Sequence, residues 1–244
     1  MNKEQSYIGS GRIYLRELGS TAGFQDLGNC SALTLSPQTD TKKLADFTQP
    51  GGGTANQIER LTGVTISYSF HDFSAENLAR ALRGNITATA AGTVTDEEVV
   101  AKKGTFIPLL HMPTAITSVE SASGTTVYEE GLDYEARAGG IFIPATSGIS
   151  DGAVVVSYAH AAQKTVQALV NPAKQYELLF EGLNEAQSGA PVRVRAYKVS
   201  GGVLQQMAMI ADDYATGEVS GELLKDTTRI GAGVSQYYTV TVSD

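Results

Sequence analysis

The side chains able to do chemistry are few in this chain and poorly placed for it. Histidines stand at His71, His111 and His160, too far apart in sequence for the HxxxH or HExxH spacing that puts two imidazoles on one metal. Each reads as a surface or partly buried residue. Gly51, Gly52 and Gly53 run into Thr54 with no lysine, so the phosphate-cradling GxxxxGK[ST] loop is absent. No GxSxG nucleophile elbow occurs either. The densest acidic run is Asp212, Asp213, Glu218, Glu222 and Asp226. Its spacing does not match the ligand ladder of a calcium loop, and a stray cation on Asp213 and Glu218 is the most it offers. A pair of glycosidase carboxylates can lie anywhere in a chain. Here, however, tryptophan is absent and aromatics make up only 7%, which is thin for a sugar-stacking cleft. The expectation is a protein that is not an enzyme, with no catalytic residue, no cofactor and no metal. The single cysteine, Cys30, cannot close an internal disulfide, and beside Ser31, Ala32 and Leu33 it reads as an inert buried thiol.

Without chemistry to position, the elements must be explained by what they build. The 244 residues can bury a real core, as one large β domain or two smaller ones. Hydrophobic residues at 42% against charged residues at 18% describe a globular chain rather than a disordered one. No apolar run reaches the roughly 20 residues of a spanning helix, so no membrane segment is expected. The first residues, MNKEQSYIGSGRIYL, contain no apolar stretch of the secretory kind, which sets the expectation of synthesis and retention in the cytoplasm. Acids outnumber bases 26 to 18 for a net charge of −8, arguing against a phosphate-binding surface that works by counterion release.

Thr, Ser, Val, Tyr and the 26 glycines favour strands and turns. The most informative stretch is Gly63 to Gly84. Val64, Ile66, Tyr68 and Phe70 alternate with Thr65, Ser67 and Ser69, the period-two pattern of a half-buried strand. A short helix follows, with Ser74 as N-cap, Glu76 in the first turn, Phe73 stapled against Leu78, a Leu78 and Leu82 stripe, and Gly84 as the left-handed stop. Residues 11–17 and 24–35 read as strands around the turn GSTAG. The pattern then fails from Ser36 to Asn56, an interval of two prolines and three glycines whose length marks either a functional arm or a disordered segment. Leu44 and Phe47, two apolar anchors, favour the arm.

Composition changes near Gly104. AITSVES, TTVYEE, LDYEARAG, GIFIPA and AVVVSYAH, parted by Ser-Gly, Gly and Asp-Gly turns, have the spacing of a small β-sandwich. The division expected is therefore 1–103 for the first part of a host domain, 104–163 for an inserted Ig-like module, and 164–244 for the second part. In the latter YELLFEG, APVRVRAYKV, VLQQMAMIA, GEVSGELL and SQYYTVTV read as strands.

The order of segments resembles the tail tube proteins of long-tailed bacteriophages of the siphophage type. GSGRIYL, DLGNCSALTLS, the arm TKKLADFTQPGGGT and IERLTGVTISYSFHDFSAENLARALRG carry the likeness in the first half. YELLFEGLNEAQSGAPVRVRAYKV, MIADDYATGEVSGELLKD and SQYYTV carry it in the second. It covers residues 8–103 and 165–242, and the methionine-rich MAMIADDY is its main departure. The fold it implies is mainly β, a tail-tube type sandwich or barrel of two packed sheets with one flanking helix. The module GTTVYEEGLDYEA to GISDGAVVVSY resembles small Ig-like additions found in phage tails.

What the resemblance implies is a structural virion protein, made in the host cytoplasm and resident in the tail. Six copies form a ring, and stacked rings form the hollow tube through which the genome passes. Its partners would be itself, a tape-measure protein and tail terminators, with double-stranded DNA crossing the lumen without specific binding. The arm would reach an adjacent ring through Lys42, Lys43, Leu44, Phe47 and Pro50, with Gly51, Gly52 and Gly53 as hinge, and the termini MNKEQSYIG and SQYYTVTVSD would add contacts. A ring of six carries six times the −8 of one chain, and a wall that repels phosphate conducts it, over a gap set by a screening length of about 8 Å. Glu177, Glu181, Glu218 and Glu222 alternate along strands as candidates for one lumenal polar face. Arg193 and Arg195, alternating with Val192, Val194 and Ala196, fit an intersubunit salt bridge with them or an exposed face. An outward module would collide with a contractile sheath, so a non-contractile tail is expected. Two other readings share the pattern: a β-sandwich adhesion or carbohydrate-binding protein, against which the missing signal segment and disulfides weigh, and the tube component of a bacterial injection system.

Overall fold

A computed structural model of the chain describes residues 5–48 and 50–243. Its strands in chain order are β1 (Gly9–Glu17), β2 (Gln25–Asp26), β3 (Cys30–Ala45) and β4 (Thr54–Phe70), followed by the helix α1 (Ala75–Ala81). Next come β5 (Asn85–Thr89), β6 (Gly92–Ala101), β7 (Thr105–Pro108), β8 (Pro113–Ser121), β9 (Glu135–Arg137), β10 (Gly140–Ile143), β11 (Gly152–His160) and β12 (Gln163–Gln167). The chain ends through β13 (Gln175–Asn184), β14 (Ala190–Ser200), β15 (Val203–Met207), β16 (Gly217–Leu223) and β17 (Tyr238–Val242). The protein is mainly β, built of packed antiparallel sheets, and none of its described helices is long and apolar enough to cross a membrane.

The chain divides into two compact units, residues 1–86 with 166–244, and residues 87–165. In the first, one hydrogen-bonded path runs β2-β1-β13-β14-β16-β4-β3, with β17 added to β14 and β15 to β16. The path changes direction along β14. Val192–Ala196 pair with β17, whereas β16 is reached only at Val199 opposite Leu223. The two packed sheets expected from sequence are thus two wings of one path. Both wings cover the same core: Ile13, Leu15, Leu178 and Ala196 from one, Val64, Ile66, Phe70, Val219 and Leu223 from the other. Alternation along β4 is as expected, with Val64, Ile66, Tyr68 and Phe70 buried and the residues between them half-buried.

Helix α1 begins where the sequence places it. Ser74 Oγ accepts the Asn77 N–H at 3.3 Å. Its buried residues are Asn77 and Ala81, and of the expected Leu78 and Leu82 stripe Leu82 packs against the core. Asn77 tolerates that position because its Nδ2 donates to Leu27 O and Asp72 O, both at 2.9 Å. Phe73 turns toward the core, its ring 5.5 Å from that of Phe70. The left-handed residue at the helix end is Arg83, at φ 50. Gly84 is held to glycine for another reason, since a Cβ there would lie 2.6 Å from Gln167 O.

The second unit is a small sandwich of two three-stranded sheets, β6-β11-β8 and β7-β10-β9. Ile107, Ile141 and Ile143 meet Val119, Val154, Val156 and Tyr158 in its core. It starts at Thr87 rather than at 104, because β6 pairs along almost the whole of β11. The acidic DEEVV stretch is therefore a strand of this unit. It ends at Thr165, close to the expected 163.

Candidate assembly interface

The interval from Ser36 to Asn56 is not irregular chain. Strands β3 and β4 continue through it as one hairpin. Beyond a bulge where Gln38 faces Gly63 and Thr39 faces Leu61, seven further positions pair, ending at Ala45 opposite Thr54. Thr62 sits in the bulge and bonds Gln38 O through its hydroxyl at 3.0 Å. From Thr39 to Ala45 the hairpin extends about 20 Å, and no described side chain in that stretch or its partner strand is buried. Backbone pairing is thus satisfied while side-chain burial is missing.

The tip explains its own sequence. Gly51 and Gly52 hold φ of 102 and 62, values that side chains with a Cβ rarely adopt. Asp46 N–H donates to Gly53 O at 2.8 Å, and Asp46 Oδ1 accepts both the Thr48 N–H and its hydroxyl. The three glycines therefore close the tip. The ladder is irregular at two places along the arm, beside the tip between Leu44 and Ala45 and at the bulge at its base. Residues directly opposite share a face, so Asp40, Lys42 and Leu44 stand with Arg60, Ile58 and Asn56. Lys42 pairs with Asp40 at 2.9 Å in solvent. Leu44 and Ile58 form an exposed apolar pair on that face, Phe47 is 86% exposed at the tip, and Pro50 lies in the tip turn. Lys43 belongs to the opposite face with Leu61. Ile58 was missed by sequence reading, because Arg60 and Thr62 interrupt the period-two pattern of β4 before it.

The four glutamates read as one polar face lie in two places. Glu177 and Glu181 are on β13, between Arg12 and Arg16 of β1 and Arg193 and Arg195 of β14. Arg16 Nη2 and Arg195 Nη2 both bond Glu177, at 2.8 and 3.0 Å. Burial opposes the Glu177 charge, yet these two arginines prevail and hold its carboxyl below the usual range. The Arg195 pair expected between subunits is therefore made within the chain. Asp26 pairs with Arg12 at 2.6 Å. With Arg229 stacked 3.7 Å from the Tyr197 ring, this face carries five of the nine arginines in the sequence.

Glu218 and Glu222 project from β16, in the other wing. Their neighbours on β4 are Ser69 and Thr65, and beyond these on β3 stand Ala32 and Ser36. Ser67 and Thr34 complete the row, so this face holds two acids, several hydroxyls and no cation. The strand expected through MAMIA stops at Met207, and residues 208–216 form a loop in which Met209, Ile210 and Tyr214 are exposed. Among the described residues Asp213 accepts only the N–H of its neighbour Tyr214.

Among the described residues no group of three or more histidine, cysteine, aspartate or glutamate side chains could hold a metal. Sequence distance misled for two histidines: His111 and His160 stack with centroids 4.4 Å apart in the second unit. One nitrogen of each ring is engaged, His111 Nδ1 with Gln163 Nε2 and His160 Nδ1 with Ala161 O. His71 Nδ1 contacts Ala215 O in the first unit. Cys30 is half-buried against the core, and burial, reinforced by Asp26 and Asp72, pushes its thiol up to about 11. The terminal contacts expected at residues 1–4 and 244 lie outside the described residues.

The fold defines a class, a mainly β protein of two compact units. Residues 6–241 match the family model described as "Protein of unknown function UCP028589", and the chain belongs to that family. No curated protein matches it.

Proposed function

We propose that the protein is a structural subunit that self-assembles through its β3–β4 arm, as rings stacked into a hollow tail tube that conducts a genome. The observation that carries this reading is the arm itself: seven paired positions with Leu44, Phe47 and Ile58 exposed. An isolated two-stranded hairpin is marginal in water, so a hairpin of this length gains its burial on a neighbour. An arm that orders fully only on assembly keeps the free subunit soluble. The resemblance of the chain to siphophage tail tube proteins supplies the geometry, with the arm of one ring reaching the next.

The charge pattern refines which face lines the bore. The β1-β13-β14 face is rich in arginine and would retain a phosphate polymer. The β16-β4-β3 face, with Glu218 and Glu222 among hydroxyls, would repel it gently, and we assign the bore to that face. Double-stranded DNA then passes without specific contact. The resemblance further places the subunit in a virion tail with tape-measure and terminator proteins as neighbours, and the second unit on a non-contractile exterior.

Negative-stain microscopy of the purified protein tests the reading. Wild type forms hollow cylinders or rings, and a variant with Leu44→Asp and Phe47→Asp forms at most single rings. Dispersed single copies of wild type at every concentration, or unaltered cylinders from the variant, contradict it.

A further inference from the structure

The arginine face contains a built cleft that the arm does not use. It has a volume of about 260 Å³ and is lined by Arg193, Arg195 and Arg229 with Tyr197, Thr239, Phe24 and Leu179. Two of the guanidiniums are fixed in place. Arg229 lies over the Tyr197 ring at 3.7 Å and donates its Nε–H to Ser235 O at 3.3 Å; its terminal nitrogens make no hydrogen bond among the described residues, while Asp226 interacts with its charge. Arg195 is held by Glu177 at 3.0 Å. Tyr197 is in turn fixed through a hydroxyl contact with Thr239 at 3.0 Å. Arg193 has no partner among the described residues. Glu181 faces it across the strands in register but forms no ion pair with it. The cleft therefore presents preorganised, under-neutralised guanidinium groups beside aromatic side chains, in a chain whose net charge is −8. Guanidinium forks of this kind take carboxylates in paired hydrogen bonds.

The same chain carries a segment of complementary chemistry. The loop 208–216 closes the β15–β16 hairpin, where Met207 pairs Gly217. It exposes Ile210 at 97% and Tyr214 at 91%, with the adjacent carboxylates Asp212 and Asp213 between them. Among the described residues Asp212 has no partner, and no hydrogen bond or ion pair joins the loop to the cleft. An unpaired acid flanked by apolar side chains and an unpaired arginine beside aromatic side chains fit each other in both charge and polarity.

We propose that the Arg193–Arg195–Arg229 cleft is the acceptor for Asp212 and Asp213 on the 208–216 loop of a second copy. The identity of the donor as a second copy rests on the self-assembly reading above. Protein carboxylate is favoured over nucleic acid because the loop offers adjacent carboxylates flanked by exposed apolar side chains, matching the cleft in both charge and polarity, whereas a duplex offers it phosphate charge alone.

The test uses a fluorescein-labelled peptide of residues 207–216, titrated into full-length chain diluted until it sediments as a single copy, and read by anisotropy. Binding weakens roughly tenfold, the factor expected when one charged pair is lost, with Asp212→Asn and Asp213→Asn in the peptide. It weakens similarly with Arg193→Gln in the chain, a substitution at an exposed side chain that leaves the melting temperature unchanged. Absence of binding, equal binding by the asparagine peptide, equal binding to the R193Q chain, or tighter binding of a short DNA duplex at the cleft each overturns the proposal. Because the reaction is between peptide and single copies, its outcome is independent of whether cylinders form, which the arm variant decides separately.

Discussion

Strands β3 and β4 are one hairpin with two different halves. From Cys30 to Pro37 opposite Val64 to Phe70, pairing is accompanied by burial, and Val64, Ile66 and Phe70 are almost sealed from solvent. From Thr39 to Ala45 opposite Thr54 to Leu61 the ladder continues, but nothing is buried. The bulge at Thr62 separates the two. Both halves satisfy their backbone, so hydrogen bonding alone does not distinguish a body from an arm. The difference lies in where the apolar side chains go: into the core of the same chain, or toward a surface that the single chain does not supply.

Substitutions in the two halves break or sharpen that contrast. The largest effect is expected at Ile66, where truncation to alanine removes a buried side chain and costs about 2–5 kcal/mol in denaturant unfolding. Ile58→Ala, on the same strand, changes the stability of the single copy by no more than about 0.5 kcal/mol. A comparable loss at both sites would mean that the arm is part of the folded body.

Ion pairs repeat the contrast on a smaller scale. Glu177 is shared by Arg16 and Arg195 and is largely sheltered, whereas Lys42 and Asp40 pair in open solvent. Glu177→Gln lowers stability by about 1 kcal/mol near neutral pH, while Asp40→Asn leaves it within about 0.5 kcal/mol. The Glu177 contribution depends on pH with a definite sign. Because its folded carboxyl sits below the usual range, the stabilisation is complete above the unfolded carboxylate value and fades as the pH falls through the folded one. Thermal melts of wild type and Glu177→Gln therefore differ near pH 7 and converge in acid. A gap that persists or widens in acid would assign the effect to packing.

At the tip, Gly52→Ala forces a side chain into a left-handed backbone and is expected to fray only the arm. It slows assembly while shifting the melting temperature of the single copy by no more than about 1 °C, within the small range of surface substitutions.

How much of this was legible in the sequence follows from the same distinction. Alternation from Val64 to Phe70, the Ser74 cap and four of the five strands expected in the second unit are local signals that correspond to elements of the structure, whereas TTVYEE forms only isolated bridges at Val127 and Glu130. The arm was legible as a feature but not as a hairpin, because its residues are polar on both faces and give no period-two pattern to read. The start of the second unit was misplaced because the pairing of β6 with β11 is long-range, whereas the change of composition at Gly104 is local. The four glutamates look equivalent as strand residues. Only the register shows that Glu177 is neutralised by two arginines while Glu218 and Glu222 stand among hydroxyls. The cleft of Arg193, Arg195 and Arg229 joins residues from β14 and a distant loop, and no spacing in the chain announces it. The stacked pair of His111 and His160 escaped for the same reason.

The central claim is that the outer half of the β3–β4 hairpin gains its burial only from another copy. Amide hydrogen exchange of the arm, read residue by residue in dilute single copies and in assembled material, tests it most directly. The account predicts that amides of Thr39–Ala45 and Thr54–Leu61 exchange rapidly in the single copy, while Val64–Phe70 are already protected. On assembly the arm should slow by at least about tenfold, the mark of a segment whose opening has become coupled to a larger cooperative unit. Arm amides as protected in the single copy as those of Val64–Phe70, or unprotected in assembled material, would contradict it.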